Sequence, residues 1–176
     1  MADVYITYGL RETLWVTKLA RLLEAEGYTV YWDHALTPGN DVRTDESIQA
    51  LNASGAVLAI WSESAAEDHW ALSDAQRAMT QDKLISVIAK PTIIPQNFHS
   101  NDIVLMQDWD ARSKDTECYQ QLLTALSRLA KPSQASAFDR EQERQARQAR
   151  MKAESARRAR EKQAKQARAK LRREFV

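Results

Sequence analysis

Cysteine is almost missing from this chain of 176 residues, where Cys118 stands alone. No intrachain disulfide can form, and a zinc site built on thiolates is excluded. Glycine is nearly as scarce. Gly9, Gly27, Gly39 and Gly55 are the whole set, and no G-x-G-x-x-G occurs among them. That argues against a Rossmann dinucleotide site, which needs close backbone approach to a pyrophosphate. No apolar run approaches the roughly 20 residues of a membrane span. The opening MADVYITYGLRE lacks a basic stretch leading into an apolar one, so no secretory signal is expected. His34, His69 and His99 show no metal-ligand spacing. These absences point to a cytoplasmic protein in a reducing compartment, with no resident metal or cofactor expected.

What is present divides in two. The formal net charge is only +1, yet residues 1–137 carry −7 and residues 138–176 carry +8. The first part is rich in Leu, Ile, Val and Ala and holds all five Trp. The second is built from Ala, Arg, Lys, Glu and Gln, all good helix formers. The boundaries expected are a domain over 1–131, a hinge at PSQASA (132–137) and an extended polar helical tail over 138–176. Ala146, Ala149, Ala153 and Ala156 follow a 3-4-3 spacing, a faint coiled-coil seam. Alanine buries little area, so such a seam is weak. The tail's charge is mixed with Glu and spread around the helix, and its only aromatics are Phe138 and Phe175. A solvated spacer or weak oligomerising helix fits better than a specific nucleic-acid binder, with weak contact to an acidic surface as the remaining partner.

Within the domain, strand and helix patterns alternate. DVYITY (3–8) sets Val4, Ile6 and Tyr8 against the other positions and predicts a strand. RETLWVTKLARLLEAEG follows with Trp15, Leu19, Leu22 and Leu23 at helical spacing and Gly27 as a stop. YTVYWD (28–33) is a second strand, and HALTPGND holds a Pro38-Gly39 turn. DVRTDESIQALNAS predicts a helix with Val42, Ile48 and Leu51 inward. GAVLAIW (55–61) is a continuous apolar run, the pattern of a strand covered on both faces. WALSDAQRAMTQDK predicts a helix, LISVIA (84–89) a strand, KPTIIPQNFHSN a loop, DIVLMQ (102–107) a weaker strand and TECYQQLLTALSRLA a last helix. Such alternation with short links argues a parallel sheet with helices on both faces. Ligands of open α/β sheets sit outside the carboxyl ends of the strands. Tyr8, Trp32, Asp33 and Ser62 fall at those ends.

These segments together resemble the TIR domain in its bacterial form, over about residues 3–130. VYITYGLRE looks like the first-strand motif, with Thr7 where a Ser is common. LLEAEGYTVYWD resembles the first helix and second strand, ALTPGND the BB loop, and VLAIWSESAAEDHWALSDAQRA the third strand and the helix that begins at Trp70. The resemblance implies a flavodoxin-like fold, a five-stranded parallel sheet with helices on both faces. A phosphoacceptor receiver shares this topology, but Thr7-Tyr8-Gly9 and Trp61-Ser62 stand where it needs acids.

The resemblance also implies two kinds of function. Some TIR domains are non-catalytic signalling scaffolds that assemble through TIR–TIR contacts, as in innate immunity. Others are nucleosidases that cleave NAD+ at the nicotinamide–ribose bond. Cleaving members carry a Glu four residues after the helix-starting Trp, and here that position is Asp74. By this resemblance Asp74 is the candidate catalytic residue. Tyr8, Arg11, Trp32, Asp33, Ser62 and Trp70 are the candidate NAD+ contacts, and Leu36, Pro38 and Gly39 form the candidate self-association loop. Departure of nicotinamide leaves an oxocarbenium-like ribose that one carboxylate can stabilise. Aspartate keeps the charge on a shorter arm, and misplacement by about 1 Å can cost on the order of 100-fold. The plainer alternatives stay open: Asp74 as a solvated helix residue, Trp32 and Trp61 as core caps, Trp70 as a packed anchor, Asp33 as a loop brace and Arg11 as surface charge.

Overall fold

The computed structural model describes residues 2–32, 44–99, 102–134 and Gln145. The chain separates into the units Met1–Ala137 and Phe138–Val176, and the described residues other than Gln145 belong to the first. The predicted tail helix lies outside the described residues, as do Asp33, Leu36, Pro38, Gly39 and Val42.

Five parallel strands form one sheet in the order β2-β1-β3-β4-β5. They are β1 (Val4–Tyr8), β2 (Val30–Trp32), β3 (Ala56–Trp61), β4 (Leu84–Ile88) and β5 (Ile103–Leu105). The interior strand β1, between β2 and β3, places Val4 opposite both Val30 and Ala56. The helices are α1 (Thr13–Ala25), α2 (Asp45–Ala53), α3 (Glu63–Glu67), α4 (His69–Thr80) and α5 (Glu117–Leu129). Short 3₁₀ turns at Leu10–Glu12 and Gln96–Phe98 complete the connections.

Each face of the sheet has its own core. One face packs Val4, Ile6, Tyr8 and Leu58 against Val16, Leu19 and Leu23 of α1 and Tyr119, Leu122 and Leu126 of α5. The other packs Tyr5, Val57, Ala59 and Trp61 against Leu51 of α2, Ala65 of α3, Ala71, Ala75 and Ala78 of α4, and Phe98. Burying a Val, Leu or Ile contributes roughly 1.5–3 kcal/mol, so these layers are the main source of stability.

Three details differ from the sequence reading. The innermost residues of α1 are Val16, Leu19, Ala20 and Leu23, while Trp15 and Leu22 are only partly buried against the same core. The segment before Trp70 is a helix, α3, capped by the Ser62 hydroxyl, which accepts from Ala65 N at 3.2 Å. Asp68 ends it and caps the next, its Oδ1 accepting from Trp70 N and Ala71 N at 2.9 Å each. Ser133 and Gln134, placed in the hinge, are fastened to the domain. Ser133 N and Oγ both donate to Asp3 Oδ2, at 3.1 and 2.7 Å, and Gln134 N donates to Gly27 O at 3.0 Å.

Candidate functional site

The site is a cleft between α2 and α4, lined by Ile48, Leu51, Trp70, Ser73, Asp74 and Arg77. On a helix, positions 70, 74 and 77 share one face at i, i+4 and i+7. The Asp68 cap fixes where that helix begins, and hence which way Trp70 and Asp74 are turned. Asp74 is 4% exposed, so it is not a solvated helix residue. The Tyr5 hydroxyl donates to Asp74 Oδ2 at 3.3 Å, a long hydrogen bond that joins the centre of β1 to the centre of α4. Tyr5 is held in turn by stacking on Tyr31 of β2, with ring centroids 5.5 Å apart and planes 9° from parallel. The enclosed volume is about 40 Å³, well short of the roughly 300 Å³ at which ligand sites begin.

Asp74 and Trp70 are therefore brought together, and the other candidates are not brought to them. Tyr8 and Trp32 touch edge to face, 6.2 Å between centroids, within the core on the opposite side of the sheet. Both rings are buried there, Tyr8 at 4% and Trp32 at 9% exposure. Strand alternation is the reason: Tyr5 and Tyr8 point to opposite faces. Trp61 is fully buried against Phe98, with centroids 5.2 Å apart.

The carboxyl-end rim of the sheet holds a different arrangement. Glu12 is 2% exposed. Its Oε2 accepts from Ser62 Oγ at 2.7 Å, and its Oε1 pairs with Lys90 Nζ at 3.1 Å. The Ser62 hydroxyl thus donates to Glu12 and accepts from the α3 cap, bracing the start of α3 against the end of the first 3₁₀ turn. Arg11 is exposed on a cleft of about 290 Å³ whose other lining residues are Glu63, Ser64, Glu67 and Asp68. A phosphate drawn to Arg11 would meet three carboxylates, so the lining opposes an anion.

Sequence reasoning missed Tyr5, Glu12, Arg77 and Lys90. For Glu12 a signal existed. Glu12, Val16, Leu19 and Leu23 continue one helical stripe, which would have put the carboxylate on the buried side. Tyr5 was hidden because alternation suggests an outward position, whereas β1 is covered on both faces.

A central parallel sheet in this order, with helices on both faces, defines a flavodoxin-like α/β domain. Residues 4–123 match the family model described as TIR domain, and the chain belongs to that family. Among solved structures, the TIR domain of the Toll-related receptor TRR-2 from the lower metazoan Hydra magnipapillata is similar. The match covers 72% of this chain and 99% of that one, at 20% identity and a TM-score of 0.59, and it shows the fold. No curated protein matches the chain. No helix among the described residues is long and apolar enough to cross a membrane.

Proposed function

We propose that the chain is a TIR-domain NAD+ nucleosidase that acts on self-assembly, with Asp74 as the catalytic carboxylate in the place where family resemblance expects Glu. The observation that carries this reading is a carboxylate buried beside Trp70 and held by a tyrosine hydroxyl at the floor of a cleft. Buried acids are uncommon unless they are paired or serve chemistry. In the reaction the bond between ribose C1′ and the pyridinium nitrogen breaks. Its electron pair goes to the nitrogen, and nicotinamide leaves neutral. Asp74 stabilises the positive ribose while water attacks C1′ and releases one proton. The Trp70 indole flanks a cationic ring, a contact of roughly 0.5–2 kcal/mol.

A cleft of about 40 Å³ admits little more than a water molecule. The resting protomer is therefore closed, and association with other TIR domains widens it. Incubating concentrated protein with NAD+ and measuring nicotinamide tests the reading. Release should rise more than linearly with protein concentration, and Asp74→Ala should lower it by on the order of 100-fold or more. Silence in the native chain, with release appearing on Asp74→Glu, would end the case for natural catalysis.

A second reading, a non-catalytic TIR–TIR scaffold, draws on a different observation. Ile103 and Leu105 of the edge strand β5 are exposed, and Ile93 is 90% exposed in the loop before it. Edge strands with apolar side chains invite pairing. Loss of self-association in Ile103→Lys/Leu105→Glu, with no nicotinamide release from the native chain at any concentration, would favour it.

A further inference from the structure

The charge of +8 over residues 138–176 is unevenly placed along the sequence. Residues 138–156 hold five basic and four acidic side chains and come close to balance. Residues 157–173, RRAREKQAKQARAKLRR, set nine basic side chains against Glu161 alone and so carry a net +8 by themselves. Gln145 apart, both stretches lie outside the described residues, and their sequence alone supplies these counts. Residues 1–137 carry −7, so the domain's own net charge repels an anionic polymer.

The composition of the segment narrows the partner. Six of its nine cations are arginine, whose planar fork matches two phosphate oxygens. It contains no aromatic residue, so it offers no platform on which unpaired bases stack. Leu171 is its one large apolar side chain, which leaves little to bury in a bilayer. What remains is attraction to closely spaced phosphates, and B-form DNA presents one charge per roughly 1.7 Å of its axis. We propose that residues 157–173 hold the phosphate backbone of duplex nucleic acid without reading its sequence. This goes beyond the nucleosidase and scaffold readings and depends on neither. Chains held on one duplex share a small volume, so such binding raises the local concentration of TIR domains.

Fluorescence anisotropy of the full chain with short labelled duplexes tests this, with two unrelated sequences made both as DNA and as RNA. The two sequences should bind alike, and the DNA and RNA arms identify which duplex is the better source of the phosphates. Affinity should fall by on the order of 1,000-fold between about 50 and 200 mM salt, as counterion release at about six phosphates requires. Arg157→Gln/Arg158→Gln/Arg160→Gln/Lys162→Gln removes four cations from the segment. Arg140→Gln/Arg144→Gln/Arg147→Gln/Arg150→Gln removes four from the balanced stretch. The first variant should bind about 100-fold more weakly and show a flatter salt dependence, whereas the second should lose about tenfold or less. Both leave residues 1–137 unaltered, and the melting transition of the domain should match the native one. Equal losses in the two variants would overturn the assignment to residues 157–173. Tighter binding to single strands, or to vesicles of phosphatidylserine and phosphatidylcholine, than to duplexes would overturn the choice of partner. Failure of the native chain to bind any duplex at the lower salt would overturn the proposal outright.

Discussion

On the nucleosidase reading proposed above, Asp74 works only if its carboxylate is aimed. The Tyr5 hydroxyl helps to aim it, itself fixed by its stack on Tyr31. Tyr5→Phe keeps the ring and the stack and deletes one donor. The expected result is a kcat for nicotinamide release lowered by up to about tenfold, with KM little changed, since one hydrogen bond is worth roughly 0.5–1.5 kcal/mol. A merely structural tyrosine would shift the melting temperature and leave kcat alone. Gly9 poses a different demand at the same scale. Its φ of −82° suits any residue, so the need is for space. A Cβ there would lie 2.5 Å from Ser64 Oγ and 2.6 Å from Ala65 N, where the start of α3 packs onto the end of β1. Because one of those atoms is backbone, Gly9→Ala should destabilise by about 1–3 kcal/mol in urea unfolding. A variant as stable as the native chain would show that α3 moves freely.

Helices in this domain end on side chains as well as on their own backbone. Lys83, at the start of β4, donates from Nζ to Leu51 O at 2.7 Å, Asn52 O at 3.2 Å and Ser54 O at 3.0 Å. Three carbonyls at the close of α2 are thereby satisfied by one cation, which also suits the negative end of the helix. Lys83→Met keeps the alkyl stem and removes that donor from Asn52 O and Ser54 O, while Leu51 O keeps its bonds from Ser54 Oγ and N, so it should cost about 1–3 kcal/mol. Burial lowers the Lys83 pKa below its ordinary 10.5. Between that lowered value and 10.5 the unfolded chain binds more protons than the folded one, so this residue adds stability as pH rises. The gap between native and Lys83→Met should therefore widen through that window. A constant gap would mean that the ammonium is solvated. The same element scale explains what could be read in advance. The strands β1, β3 and β4 are legible because their side chains alternate or run apolar without a break, and the caps Ser62 and Asp68 are visible as residue types. The crossover rule narrows how these strands can connect but does not say which of them adjoin, so the flavodoxin-like order was legible only through the family resemblance. Of the site, the Trp70–Asp74 spacing is legible because helical geometry carries it. The separation of Tyr8 and Trp32 from Asp74 is not, because a local pattern does not say which face of a doubly covered strand a ligand meets. The Glu12–Ser62–Lys90 brace joins three elements distant in sequence, and no short stretch records it.

At the scale of the whole molecule, the two ends of the domain are tied by a single carboxylate. Asp3 Oδ2 accepts from Thr29 N at 2.7 Å and from Ser133 N and Oγ, while Asp3 N donates to Thr29 Oγ1 at 2.9 Å. The start of β1, the approach to β2 and the segment after α5 meet at that point, so the chain at Ser133 is fastened where the first strand begins. Burial alone would raise the Asp3 pKa, but the hydrogen bonds from Thr29 and Ser133 outweigh it and hold the group below 3.8. A depressed folded pKa means stability that is present above about 3.8 and lost as pH falls through the lowered value. Asp3→Asn cannot titrate and is a poorer acceptor. It should be less stable than the native chain near neutrality, and the difference should shrink toward zero as pH drops below 3.8. Asp110 is also lowered by hydrogen bonds from Ser113 and Arg112, but it is unchanged in the variant and cancels from the comparison. Urea unfolding of the two proteins from pH 7 to pH 2 measures the difference directly. A gap that persists undiminished at pH 2 would show that the clasp works through shape and not charge. A gap that closes would mean that the ionised carboxylate carries the clasp, and that acid weakens its hold on the segment around Ser133.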